Sequence, residues 1–142
     1  MSTSSAEAVW DGGTNGKGHF RAASGAFRAD YSVPTRFEGK PGTNPEELIA
    51  AAHAACLSMA LALGLDKAGT PATRITTSAT CTIERAGDGF RITTMRLEVR
   101  GVVPGLDQAA FGRAAEGAKQ GCPVSNALMN NVKLELDARL ES

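Results

Sequence analysis

Residues 43–67, TNPEELIAAAHAACLSMALALGLDK, decide the fold. Two start signals overlap at the head of this stretch. Thr43 with Glu46 makes a capping box. Asn44 ahead of Pro45 supplies an N-cap and a first-turn proline. Glu46 and Glu47 then fall where the helix dipole favours negative charge. Between Leu48 and Leu65 there is no Asp, Glu, Lys or Arg. The stretch predicts a helix from Pro45 to Leu65, ending near Gly69. A helix that is apolar all round is the buried centre of a domain or a membrane span. Its apolar length is near the lower limit for spanning. The alanine-rich composition, His53, Ser58 and the lack of an aromatic belt favour the buried helix.

The segments on either side read as strands. Ala6–Trp10 ends at Asp11-Gly12-Gly13, and residues 1–5 (MSTSS) are expected to be a disordered tail. Gly18–Ala23 and Ala26–Val33 follow, with Ser24-Gly25 as the turn between them. Pro34–Thr43 reads as a loop. Beyond the helix, Arg74–Glu84 alternates apolar and polar residues, Arg85–Gly89 is a turn, and Phe90–Val103 alternates again. The two make an antiparallel hairpin. Asp107–Gln120 and Pro123–Met129 read as helices, and Val132–Leu140 as a last strand. No repeat or interdomain linker interrupts the series. The expected architecture is α+β: one domain over 1–142, with antiparallel sheet packed on a buried helix.

Composition bounds the function. The 142 residues are 42% hydrophobic and 21% charged, which suits a soluble globular protein. Lys plus Arg equals Asp plus Glu at 15 each. This balance excludes the basic footprint of a nucleic-acid binder and an electrostatic attachment to anionic lipid. The polar first 20 residues show no apolar signal region, so the expected location is the cytoplasm. An odd count of three cysteines suits reduced or catalytic thiols rather than a structural disulfide framework.

Two of those cysteines carry the chemistry. Cys56 sits in the long helix. Cys122 sits 66 residues later in the turn Gly121-Cys122-Pro123, where small neighbours are expected to leave its sulfur accessible. The pair could form a reversible disulfide. Cys56 lies too far from its helix N-terminus to be ionised by the dipole, and burial alone would make it inert. It needs a cation, and Arg36 in the preceding loop is the candidate, with Glu46 to orient the guanidinium. Bland readings stand beside these: Cys56 as a small core filler, Arg36 as a solvated loop residue, Glu46 as a helix-start carboxylate, Cys81 as filler on a strand face. His53, three residues before Cys56, is a base, a ligand or a hydrogen-bonded structural histidine. His53, Cys56 and Cys122 together could be zinc ligands, although no CxxC motif supports them.

Glu46 and Cys56 are ten residues apart, about 15 Å of helix rise, so they cannot touch within one straight helix. Two antiparallel copies crossing near Ala51 would bring Glu46 of one level with Cys56 of the other. The small residues from Ala50 to Ala55 would allow a close approach. This predicts a symmetric dimer with its sites at the interface.

The blocks Arg36-Phe37-Glu38-Gly39, Gly42–Leu48, Ala51–Cys56 and Ala118–Ser125 resemble the OsmC/Ohr family of osmotically inducible and organic hydroperoxide resistance proteins. The resemblance runs from about Ala6 to Leu140, and His53-Ala54-Ala55-Cys56 is similar to the OsmC branch. It implies an OsmC-like fold, an intertwined homodimer with sheets wrapped around long central helices. It implies a thiol-dependent peroxidase with Cys56 peroxidatic, Cys122 resolving, and Arg36 and Glu46 as a charged pair beside the reactive thiol. It implies no cofactor and no metal. The expected partners are an organic hydroperoxide, favoured over hydrogen peroxide by an apolar pocket near Leu57 and Phe37, and an external dithiol reductant such as a lipoyl group. Nucleic acid and membrane are not expected partners. The rival classes are a zinc-binding protein using His53, Cys56 and Cys122, and a non-catalytic stress-related protein.

Overall fold

The computed structural model describes residues 1–141, which form two compact units, 1–45 and 46–141. The first is a meander. Strands β1 (Ala6–Asp11), β2 (Lys17–Ala22) and β3 (Arg28–Tyr31) pair antiparallel in the order β1-β2-β3. Phe20 is buried between Phe27 and Tyr31, with ring centroids 6.5 and 5.4 Å away. Residues 1–5 have no regular secondary structure, and the Ala23 N–H donates to the Ser5 carbonyl.

The segment expected to be a Pro/Gly loop begins with a short helix, α1 (Val33–Phe37). Ser32 caps it: its hydroxyl accepts from the Thr35 N–H at 3.3 Å, and Thr35 Oγ1 accepts from the Ser32 N–H at 2.9 Å. The capping box uses Thr rather than Glu or Gln at its third position, and Pro34 serves the first turn. Glycine and proline density hid this signal in the sequence.

The second unit is built on α2 (Pro45–Lys67). Ala50, His53, Leu57, Leu61 and Leu65 are buried, at the three- and four-residue steps of one helix face. They meet Met95, Leu97, Val99, Val103, Phe111 and Ala115, which form the core. Each fully buried leucine contributes about 1.5–3 kcal/mol relative to exposure. The other face of α2 is not covered within its own chain, with Met59 63% and Leu63 56% exposed. By length and composition this helix could cross a membrane. Near its middle, at Ala51, Ala52 and Ala55, the uncovered face is small-sided.

Strands β4 (Arg74–Ala86) and β5 (Gly89–Val102) form the expected hairpin around Gly87-Asp88, where Gly87 has φ 59°. Helices α3 (Gln108–Gly121) and α4 (Pro123–Leu128) then lead to β6 (Lys133–Leu140). The α+β class holds, but one expectation needs correction: β6 runs parallel to β5, giving a mixed sheet in the order β4-β5-β6. Parallel neighbours require a crossover, and α3 with α4 provides it. Gly101 on β5 lets α3 seat, because a Cβ there would run into the Phe111 ring.

Candidate active site

Cys122 sits at the junction of two helices. Asp107 caps the start of α3, its carboxylate accepting from the Ala110 N–H at 2.8 Å. Pro123 cannot continue that helix and forces the residue before it out of the α region. Cys122 accordingly has φ −70° and ψ 122°, closing α3 and capping α4, with Pro123 in the first turn of α4. The chain breaks here as expected, at a single non-helical residue between two helices, but the expected accessibility is wrong: Cys122 is 0% exposed.

Cys56 on α2 is half-buried and is the more accessible of the two sulfurs. The two Sγ atoms lie 2.7 Å apart, Cys122 donating to Cys56 when both are protonated. Residues 66 positions apart in the chain are thus in direct contact, and both are free thiols.

Ionisation divides unequally between them. Burial pushes the Cys56 thiol up, and the neighbouring Cys122 adds to the rise, against a smaller pull from the Val124 N–H. Burial also pushes Cys122 up, but more donors oppose it: Cys56, the Ser125 N–H and hydroxyl, and the Val124 N–H. Cys122 therefore stands below the usual thiol value. The neutral sulfur makes no cap hydrogen bond, and these donors favour its anion. The pair releases one proton readily and the second with difficulty, and a shared titration of this kind belongs to both sulfurs. The sequence placed the charge on Cys56; within this unit the larger donor set faces Cys122.

The remaining candidates fall as follows. Glu46 is buried in the first turn of α2, 5% exposed. Cys81 is a half-buried strand residue whose thiol is pushed up by burial and, next, by the charge of Glu46. Arg36 is on α1 in the first unit, its Cζ 5.1 Å from the Phe37 ring centroid. Leu57 is fully buried in the core. His53 is fully buried, its Nε2 2.7 Å from Ser125 Oγ. Sequence reasoning left His53 undecided and gave Ser125 no role. The spacing held a hint: His53 is three residues before Cys56, and Ser125 three after Cys122. Among the described residues no three His, Cys, Asp or Glu side chains gather as a metal site.

Comparison with known proteins follows the same lines. Residues 37–137 match the model of the family described as OsmC-like protein. The chain is 45% identical over 138 residues to Peroxiredoxin OsmC of Escherichia coli (strain K12), covering 96% of this chain and 95% of that one. It is 35% identical to an organic hydroperoxide resistance protein of Xanthomonas axonopodis pv. citri, covering 92% and 91%. The crystal structure of an organic hydroperoxide resistance protein from Elizabethkingia anophelis superposes with a TM-score of 0.83 at 28% identity, covering 99% of this chain and 98% of that one.

Proposed function

The chain belongs to the OsmC-like protein family, and from that premise we propose that it is a thiol-dependent peroxidase reducing organic hydroperoxides. The observation that carries this is the 2.7 Å contact between one half-buried and one fully buried free thiol. Access supports the roles: an external peroxide would meet Cys56, the more exposed thiol, before the buried Cys122.

Cys56 Sγ attacks the distal oxygen of the hydroperoxide. The O–O bond breaks, the alcohol leaves, and Cys56 keeps one oxygen as a sulfenic acid. Transfer of the Cys56 proton across the short contact to Cys122 supplies the attacking anion. The departing alkoxide then takes a proton, and Cys122 becomes the second nucleophile. It attacks the oxidised sulfur, the S–S bond forms as the S–O bond breaks, and the oxygen leaves as hydroxide that takes a proton from solvent. An external dithiol, such as a lipoyl group, returns two hydrogens to the disulfide. Arg36 stabilises the charge on Cys56 and Glu46 orients Arg36; their match to the family blocks and the burial of Glu46 support this. No metal or organic cofactor takes part.

The working form is a homodimer in which antiparallel copies of α2 cross near Ala51. The uncovered stripe of Leu48, Ala52, Ala55, Met59 and Leu63 supports that pairing, and it accounts for the apolar helix without a membrane. The two compact units work as one OsmC-like domain, in the reducing cytoplasm. The test is mass spectrometry after one equivalent of cumene hydroperoxide. Loss of two hydrogens mapped to Cys56 and Cys122 is expected. An unchanged mass, or oxidation confined to Cys81, would end this reading.

A further inference from the structure

The reaction as set out leaves one buried polar pair unused. His53 and Ser125 are both 0% exposed and lie 2.7 Å apart. Each belongs to a helix that carries one of the thiols. Ser125 occupies the third position of α4, whose cap is Cys122, and its hydroxyl is among the donors that hold Cys122 below the usual thiol value. Burying an imidazole is costly unless it is hydrogen-bonded. Yet His53 Nδ1 has no partner among the described residues, so Ser125 provides the ring's one polar contact there.

The hydrogens can be placed by counting. Burial lowers the His53 pKa and keeps the ring neutral, and a neutral imidazole carries one N–H. Ser125 has a single hydroxyl hydrogen, which faces the Cys122 anion. Its oxygen must then accept from His53, which puts the ring hydrogen on Nε2. The unpartnered Nδ1 is left as a bare lone pair. Every donor in the series points toward Cys122.

We propose that His53 and Ser125 are positioning residues: an ordered donor chain, His53 Nε2–H to Ser125 Oγ–H to Cys122 Sγ, holds the resolving sulfur as an anion aimed at Cys56. The inference rests on the resolving role given to Cys122 above. No proton crosses the chain. Cys122 Sγ attacks the sulfenic sulfur of Cys56, the S–S bond forms and the S–O bond breaks. The leaving hydroxide takes a proton from solvent. The titratable groups that act on Cys122 are Cys56 on α2 and, through Ser125, His53 on the same helix.

The experiment titrates thiolate ultraviolet absorbance in the full chain carrying Cys56→Ser and Cys81→Ala, so that Cys122 is the one remaining thiol. Losing a hydrogen bond to a charged acceptor moves the titration upward by about one pH unit or more, roughly tenfold in thiolate fraction at neutral pH. Ser125→Ala is expected to show that shift, and Ser125→Thr, which keeps the hydroxyl, is expected to lack it. His53→Leu shifts the titration upward, and His53→Gln, which keeps an N–H donor, restores it. An unmoved titration in Ser125→Ala, or an equal shift in Ser125→Thr, overturns the proposal. If Ser125→Ala does not fold, the two His53 variants decide the matter in the same way. The titration uses no peroxide. Its failure is therefore distinct from failure of the peroxidase assignment, which shows as unconsumed hydroperoxide in the unaltered protein.

Discussion

Replacing Met59 and Leu63 together by serine separates two roles for the central helix. Both side chains point away from the core of their own chain, 63% and 56% exposed. If a second copy covers them, each loses that exposed share on dimerisation. Full burial of such a side chain is worth about 1.5–3 kcal/mol, so the uncovered share is worth about 1–2 kcal/mol each. Two-fold symmetry counts both positions in both copies, so the double variant weakens the dimer by about 4–7 kcal/mol, about 10³–10⁵ in Kd. The folded chain itself changes little, because substitutions at exposed positions usually stay within about 0.5 kcal/mol. Sedimentation or light scattering across a concentration series reads the association. Circular dichroism of the same samples reads the fold. A dimer of unaltered Kd in the variant, or a monomeric parent, would refute the crossing of two α2 helices. Loss of fold without any change in association would mean that the stripe is covered by its own chain.

Cys56→Ser abolishes peroxide consumption, whereas Cys122→Ser still takes one oxidising equivalent, fails to recycle and carries Cys56 on toward sulfinic acid; stoichiometric peroxide assays and intact mass check both. The thiol pair gives up its first proton below the usual thiol range and its second above it, as ultraviolet titration of the reduced protein will show. The lowered folded value of Cys122 gives stability that is present above the unfolded thiol pKa and lost as pH falls through the folded value. The raised value of Cys56 acts oppositely: its contribution is present below the unfolded pKa and lost as pH rises through the folded value. Reduced protein should therefore become easier to unfold with urea in strong alkali. Gly101→Ala forces Phe111 and α3 off the sheet, costing about 1–3 kcal/mol, and an unchanged Tm would show that this contact is slack.

Much of this was legible in one dimension because it is local. The capping and first-turn residues of Thr43–Glu47 mark where α2 begins. The alternation through Ile75, Thr77, Ala79 and Cys81 marks β4, and Pro123 marks the break between α3 and α4. Each of these signals acts within a few residues of itself. The α1 capping box is local too, but its Thr35 in place of a carboxylate made it easy to pass over. The direction of β6 is not local. It depends on where a crossover of two helices returns the chain, and alternation alone is the same for parallel and antiparallel neighbours.

The chain by itself therefore determined most of the elements, the α+β class and the family, and singled out the two sulfurs that the fold brings together, since residue type and spacing carry all of these. Tertiary structure alone decided that Cys122 is the buried thiol and Cys56 the accessible one. It brought the two to 2.7 Å and joined His53 to Ser125 behind them. Burial, proton sharing and pKa depend on which groups from distant segments fill the space around an atom. No pattern along a single strand or helix contains that information.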